Sequence, residues 1–358
     1  MFILHNKEET ALIAKDQEEL VREFYVETFI TEAREYDLDC IRNQKGQMLM
    51  TICEHIEYAG VHSGDSGMIH PPYHLTASLQ LKVQDIVKQM ADKLEIVGPL
   101  NVQIATKDNQ IYCLEANPRG SRTIPFLSKA TGKEKIDYIM MALLGEDLPT
   151  HESGPKVRPF FVKQSTFPFD RYPEHTKLLG PKMKSTGECL GLSYDLHQAL
   201  YESYLANFPN LAQKGKILVS LSTETKLPLL PDLKKLQHIG IQFYATQGTH
   251  DFLKDHGISS TCVSKIGESC GLPYILDCVQ DPDLILVINT SSTKKTNLTR
   301  LQNGYQDSKT IRIRALKKKI PCFTEQEQIK ILLETLGAIP RPYHFHPLAL
   351  QDIRSDKE

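Results

Sequence analysis

From Gly215 onward the chain alternates short apolar runs with longer mixed ones: "KILVSLS", "LPDLKKLQHIG", "IQFYAT", a helical pattern near Thr249, "STCVSK", "DLILVINT" and finally "IPCFTEQEQIKILLETLG". Strands and helices alternating in this way predict a parallel sheet with helices on both faces. The sequence upstream obeys a different rule. Between Val21 and about Ala59 short apolar stretches are broken by charge ("FYVETFI", "YDLDCI", "MLMTICEHI"), which predicts strands. A helix is expected over Ser78–Leu94, where Leu79, Val83, Ile86, Val87, Met90 and Leu94 recur at helical spacing, and another over Ile136–Leu144. The expected architecture is therefore an α+β unit over residues 1–155 and an α/β unit over 211–358. Residues 156–210, rich in Pro and Gly, read as a linker or lid with a helix near Tyr194–Asn207 and Ser193 as its N-cap.

Within the first unit, "NVQIATKDNQIYCLEANPRGSRTIPFLSKATG" at 101–132 has the pattern of a β-hairpin. Period-two alternation puts Leu100, Val102 and Ile104 on one face and leaves Asn101 and Gln103 on the other. Glu115 and Asn117 share a face on the return strand. The polar Lys107-Asp108-Asn109-Gln110 run is turn chemistry, and pairing closed around it sets Gln103 opposite Glu115. Gln103, Glu115 and Asn117 are hard oxygen donors of the kind magnesium takes when it also bridges nucleotide phosphates. Arg119 and Arg122, just past Pro118, are forked donors suited to a phosphate or carboxylate beside that metal. A hairpin with a solvated polar face is the plainer alternative.

Composition narrows the partners. With 24% charged residues and a net charge of −2, no bulk attraction to nucleic acid or to an anionic membrane follows. No apolar stretch approaches the ~20 residues of a membrane span, and the N-terminus "MFILHNKEE" is not a leader, so a cytoplasmic or mitochondrial-matrix location is expected. The eight cysteines are scattered without a C-x-x-C pair, which points to reduced core residues.

Four stretches in order, "EHIEYAGVHSGDS" at 54–66, "GPLNVQIA" at 98–105, "EANPRGSRTIPFLSKATG" at 115–132 and "LLGPKMKSTGE" at 178–188, closely resemble the large subunit of carbamoyl-phosphate synthetase. The match is to its second ATP-grasp half, which phosphorylates carbamate, and it runs nearly end to end. The resemblance implies a partial ATP-grasp domain followed by a methylglyoxal-synthase-like regulatory domain, with ATP and Mg2+ (or Mn2+) as cofactors. It gives Gln103, Glu115 and Asn117 the metal, and Arg119 and Arg122 the charge on the transferred phosphoryl group. Glu27 and Ile30 fall where the family contacts adenine, Glu35 where a carboxylate meets the ribose, and His62 at a nucleotide-site histidine. Read alone, each has a structural alternative: a core isoleucine, solvated strand charges, a loop histidine.

In the second unit Ser220, Thr246, Lys265 and Asn289 through Ser291 end successive strands on one rim, and Thr249 opens a helix whose N-terminus favours an anion. The family binds a phosphorylated small-molecule effector there, and the resemblance adds Lys226. Where true methylglyoxal synthases carry a catalytic aspartate after a glycine-rich loop, this chain has "SKIGESCG", so that activity is not expected. Family members also carry an upstream lobe whose basic residues grip the phosphates, with no counterpart before Met1. The expected partners are that upstream ATP-grasp portion and a glutamine amidotransferase subunit or domain. The alternatives are an effector-binding module with a vestigial ATP-grasp floor, or another ATP-grasp carboxylate ligase.

Overall fold

The computed structural model describes residues 7, 10, 26–132, 134–149, 159–168, 179–209, 211, 214–264, 266, 271–290, 298–345 and 348–350. The first sheet has seven strands in the order β5-β4-β1-β2-β3-β6-β7, every neighbouring pair antiparallel. They are β1 (Arg34–Arg42), β2 (Met48–Tyr58), β3 (Met68–His70), β4 (Gly98–Lys107), β5 (Gln110–Asn117), β6 (Phe160–Thr166) and β7 (Gly187–Ser193). Helix α1 (Ala77–Lys93) begins at Thr76, whose hydroxyl accepts from the Leu79 amide at 3.4 Å. It lays Val83, Val87 and Ala91 against Tyr36, Leu38 and Cys40 of β1 and Leu100, Val102 and Ile104 of β4. Each fully buried aliphatic side chain here contributes roughly 1.5–3 kcal/mol. That burial fixes which face of β1 and β4 is apolar, and so commits Glu35, Asp37, Asp39, Asn101 and Gln103 to the other face.

Past β5 come α2 (Ile124–Thr131) and α3 (Lys135–Leu144), each ending at a glycine in the left-handed conformation, Gly132 and Gly145. Where a linker was expected over 156–210, the described residues of that range supply β6 and β7 to the first sheet, β6 pairing with β3, and then α4 (Leu196–Asn207). The cap of α4 is Asp195, whose carboxylate accepts from the Gln198 amide at 2.9 Å, rather than Ser193. Ser193 instead hydrogen-bonds the Asp195 amide and the Gln198 side chain.

The second sheet is parallel throughout, in the order β10-β9-β8-β11-β12, as the alternation required. Its elements are β8 (Lys216–Ser220), α5 (Thr223–His238), β9 (Gln242–Thr246), α6 (Gln247–Asp255), β10 (Thr261–Val263), α7 (Ile275–Cys278), β11 (Leu284–Asn289), α8 (Leu298–Lys317), β12 (Cys322–Phe323) and α9 (Gln326–Ala338). The chain winds outward from β8 to β10, then returns to the other side of β8 with β11. One apolar cluster runs from Ile56, Ile69 and Val162 of the first sheet through Leu200 and Tyr204 of α4 into Ile217, Leu233 and Leu332 of the second unit. Among the described residues no helix is long and apolar enough to cross a membrane.

Candidate functional site

The hairpin turn is Asp108-Asn109, both with positive φ (50° and 61°), the conformation that two-residue hairpin loops favour. Pairing starts at Lys107 opposite Gln110 and keeps step as far as Ile104 opposite Cys113. Unbroken, it would put Leu114 opposite Gln103 and turn Glu115 toward the apolar core. A bulge at Leu114 adds one residue to β5, so Gln103 faces Glu115 and Asn101 faces Asn117. The three predicted oxygen donors therefore share the face turned away from α1. Asn117 Nδ2 donates to Glu115 Oε1 at 2.8 Å. One carboxylate with two side-chain amides is a donor set that fits Mg2+ when phosphate oxygens supply the remaining ligands.

That face is the floor of a cavity of about 650 Å3, lined also by Glu35 and Asp37, the Gly60–Gly64 loop, Arg119, Arg122 and Pro181. The first and fourth sequence motifs are joined at its wall. His62 N donates to Gly180 O at 2.9 Å, and the Asp65 carboxylate accepts from the amides of Lys184 (2.9 Å) and Ser185 (2.8 Å). Gly64 allows this closeness, because a Cβ there would meet Met183 Sδ at 2.8 Å. Its amide donates to His62 Nδ1 at 3.0 Å, which puts the ring proton on Nε2. Arg122 Nη1 lies 2.7 Å from Met183 Sδ.

At and behind this lining lie buried ionisable groups. Burial, reinforced by Asp37, raises the Glu35 carboxyl to about 8. Burial and then Asp39 raise Asp37 to about 7, against the opposing hydrogen bond from Asn101 Nδ2 and the charge of Lys163. Asp39 is also raised by burial, with hydrogen bonds from Ser121 and Thr123 pulling the other way. Burial lowers Lys163, whose Nζ donates to Ser63 O at 3.2 Å.

Of the residues expected at the nucleotide, Glu35, His62, Gln103, Glu115, Arg119 and Arg122 line this one cavity, and Asn117 sits beside Glu115. Glu27 is exposed and Ile30 half-buried in the segment before β1, outside the lining. Asp37 lines the cavity without having been anticipated, as does Asn101, which the alternation placed beside Gln103 but gave no role. The signal for Asp37, and for Asp39 outside the lining, was present in "EYDLD", where acids at every second position share one strand face, but alternating acids look the same on a strand whose polar face is solvated.

In the second unit Asn289 pairs with Ser220 across β11 and β8, beside the point where the strand order reverses. Thr246 Oγ1 donates to Ser220 Oγ and Thr249 Oγ1, both at 3.4 Å, and Lys226 Nζ donates to Gly248 O at 2.5 Å. Thr249 is in the first turn of α6, which starts at Gln247. It is 1% exposed, and its hydroxyl already accepts from the Leu221 amide at 3.0 Å. Asn289 is equally buried and accepts from Arg312 Nη1 at 3.0 Å. Ser220 and Lys226 are the half-exposed members. Lys265 and Ser291 lie outside the described residues.

Residues 1–151 match the family model "Carbamoyl-phosphate synthase L chain, ATP binding domain", and residues 229–324 match the MGS-like domain. A carbamoyl phosphate synthase large chain from Methanosarcina barkeri is 36% identical over 304 residues, covering 84% of this chain and 74% of that protein. The large chain of Methanoculleus marisnigri is 34% identical over 95% of this chain, and the C-terminal section of the large chain from Aquifex aeolicus is 34% identical over 89%. The chain spans 32% and 61% of those two relatives' lengths. Among solved structures, N5-carboxyaminoimidazole ribonucleotide synthetase from Thermotoga maritima aligns at 18% identity over 57% of this chain and 58% of that one, with a TM-score of 0.42.

Proposed function

Because this chain belongs to the carbamoyl-phosphate synthase large-chain family, we propose that its antiparallel unit binds ATP with Mg2+ and phosphorylates carbamate, while its parallel unit binds a phosphorylated effector. The observation that carries this is the bulge at Leu114, which turns Glu115 onto the face of Gln103, at the floor of a cavity that Arg119 and Arg122 also line. Gln103, Glu115 and Asn117 would hold the cation, which when bound neutralises charge on the nucleotide phosphates. Glu35 at the cavity wall would meet the ribose hydroxyls, with Glu27 and Ile30 toward the base and His62 Nε2 toward the nucleotide. Arg119 and Arg122 hold negative charge in place as a carbamate oxygen attacks the γ-phosphorus and ADP departs, giving carbamoyl phosphate.

The relatives extend well beyond the matched region, so catalysis is assigned to this chain together with an upstream ATP-grasp portion and an amidotransferase that supplies nitrogen. The test is calorimetric titration of the chain with ATP, with and without Mg2+. Glu115→Gln should weaken the Mg2+-dependent binding at least tenfold while the circular dichroism is unchanged. Unaltered affinity would reject Glu115 as a ligand. At the rim, uridine and inosine monophosphates are the first effectors to titrate. Lys226→Ala should weaken binding roughly tenfold or more, the usual loss for one charge-assisted contact, and equal affinity would remove Lys226 from the effector site.

A further inference from the structure

We propose that Asp39 is the positioning residue for the arginine loop, locking the backbone between Arg119 and Arg122 to β1, an interior strand of the sheet. Asp39 is 5% exposed and sits on β1 opposite Asn101 of β4. Its Oδ1 accepts from the Ser121 amide at 3.2 Å, and its Oδ2 accepts from Ser121 Oγ at 2.5 Å and Thr123 Oγ1 at 2.8 Å. The two hydroxyls also contact each other, and the Thr123 amide donates to Ser121 Oγ at 3.0 Å. One carboxylate thus takes three donors from a three-residue segment that carries Arg122 at its centre and follows Arg119 by one glycine.

Among the described residues neither arginine has a partner of comparable rigidity. The contacts of Arg119 and Arg122 are with Gly120 O and Met183 Sδ, so their aim is set by the backbone that bears them. A guanidinium stabilises a transition state only if it is held before charge develops, and a misplacement of about 1 Å can cost about 100-fold. A strand-borne carboxylate is a rigid anchor for a loop, and it also lies at the N-terminus of α2, where negative charge is favoured. Asp39 does not line the cavity, whereas Ser121 does. It acts through Ser121 and Thr123.

This role rests on the phosphoryl-transfer reading of Arg119 and Arg122, whereas the clamp itself does not, and two measurements separate them. The first, on the full chain, needs no ligand: in Asp39→Asn, amide hydrogen exchange of residues 119–123 should accelerate at least tenfold while α1 and β4 keep their protection. Unchanged exchange would overturn the clamp. The second is calorimetric titration with MgADP, with and without aluminium fluoride, which mimics the phosphoryl group in flight, on the chain joined to the upstream ATP-grasp portion to which the phosphoryl-transfer reading ties catalysis. Asp39→Asn, Ser121→Ala and Thr123→Val should leave the MgADP affinity within about twofold and each lose tenfold or more of the tightening by fluoroaluminate. Asp39→Asn combined with Thr123→Val should lose little more than either alone, and Thr123→Ser should retain the tightening. Full tightening in a folded Asp39→Asn protein, or additive losses, would overturn the positioning role. Tightening absent from the unsubstituted chain too would overturn the phosphoryl-transfer reading and the positioning role with it, leaving the exchange result to judge the clamp.

Discussion

Glu57 shows how a single buried group can set a pH dependence. It is 1% exposed, its Oε2 accepts from the Gly67 amide at 2.9 Å, and burial raises its carboxyl to about 8 from the ordinary 4.5. The native state therefore holds a proton that the unfolded chain gives up. Stability from this group is complete below about pH 4.5 and is lost as pH rises through about 8. Glu57→Gln keeps the acceptor and cannot ionise, so it should raise unfolding free energy by about 1–2 kcal/mol at pH 8 relative to pH 5. Urea denaturation of both proteins at the two pH values checks this, and an identical difference at both would reject a protonated Glu57. Glu35 and Asp37 titrate in the same direction and remain in the variant, so the slope shrinks without vanishing. At the cavity wall, Arg122→Lys should bind MgADP normally and lose the fluoroaluminate tightening, because a point charge cannot reproduce a planar fork. Undiminished tightening would show that any cation serves there.

Elements meet at distances that leave no slack at two places. A Cβ on Gly191 of β7 would lie 2.0 Å from Ala199 O and 2.6 Å from Ser203 N, both backbone atoms of α4. Gly191→Ala should therefore cost about 3 kcal/mol or more, read as a lowered melting temperature, since a backbone cannot step aside as a side chain can. The other place is the bulge. Deleting Leu114 removes the bulge yet leaves Glu115, now next to Cys113, opposite Gln103 in an unbroken ladder, so Mg2+-dependent ATP binding should persist and the hairpin should survive in circular dichroism. Lost binding would mean that the face on which Glu115 lies is not enough to make the site. These two places also mark how far the sequence could be read. The turn was legible from the chemistry of Lys107-Asp108-Asn109-Gln110, and the α1 stripe and the parallel sheet from regular patterns sustained over several residues. The pairing of Gln103 with Glu115 was anticipated, but not the bulge that achieves it, because an extra residue in one strand leaves no periodic trace. Strands β6 and β7 were hidden by the Pro and Gly around them, and their place beside β3 depends on pairing across a long sequence interval. Asp39 was hidden for a related reason: its partners, Ser121 and Thr123, are remote in sequence.

At the scale of the whole molecule the two sheets are not independent bodies. Arg34 reaches Glu54 of β2 and Glu327 of α9, both at 3.5 Å, and the apolar cluster through α4 is shared between the units. Thermal unfolding should accordingly give one transition by circular dichroism, and two well-separated transitions would contradict a common core. A fragment starting at residue 214 should bind a hydrophobic dye more strongly than one starting at 194, because only the longer piece keeps Leu200 and Tyr204 over Ile217 and Leu332. Equal dye binding would sink that account. The pairing of β3 with β6 has a further consequence, in the order of synthesis. About 90 residues separate Ile69 from its partner Val162, which at ordinary elongation rates is roughly 5–20 s of translation. Throughout that interval the nascent sheet presents an open edge at β3, with backbone groups ready to pair with any passing strand. The Pro181 wall of the cavity emerges later still, so a ribosome halted before residue 160 releases a chain with Gln103, Glu115 and Asn117 already made, no closed pocket around them, and an edge that invites aggregation.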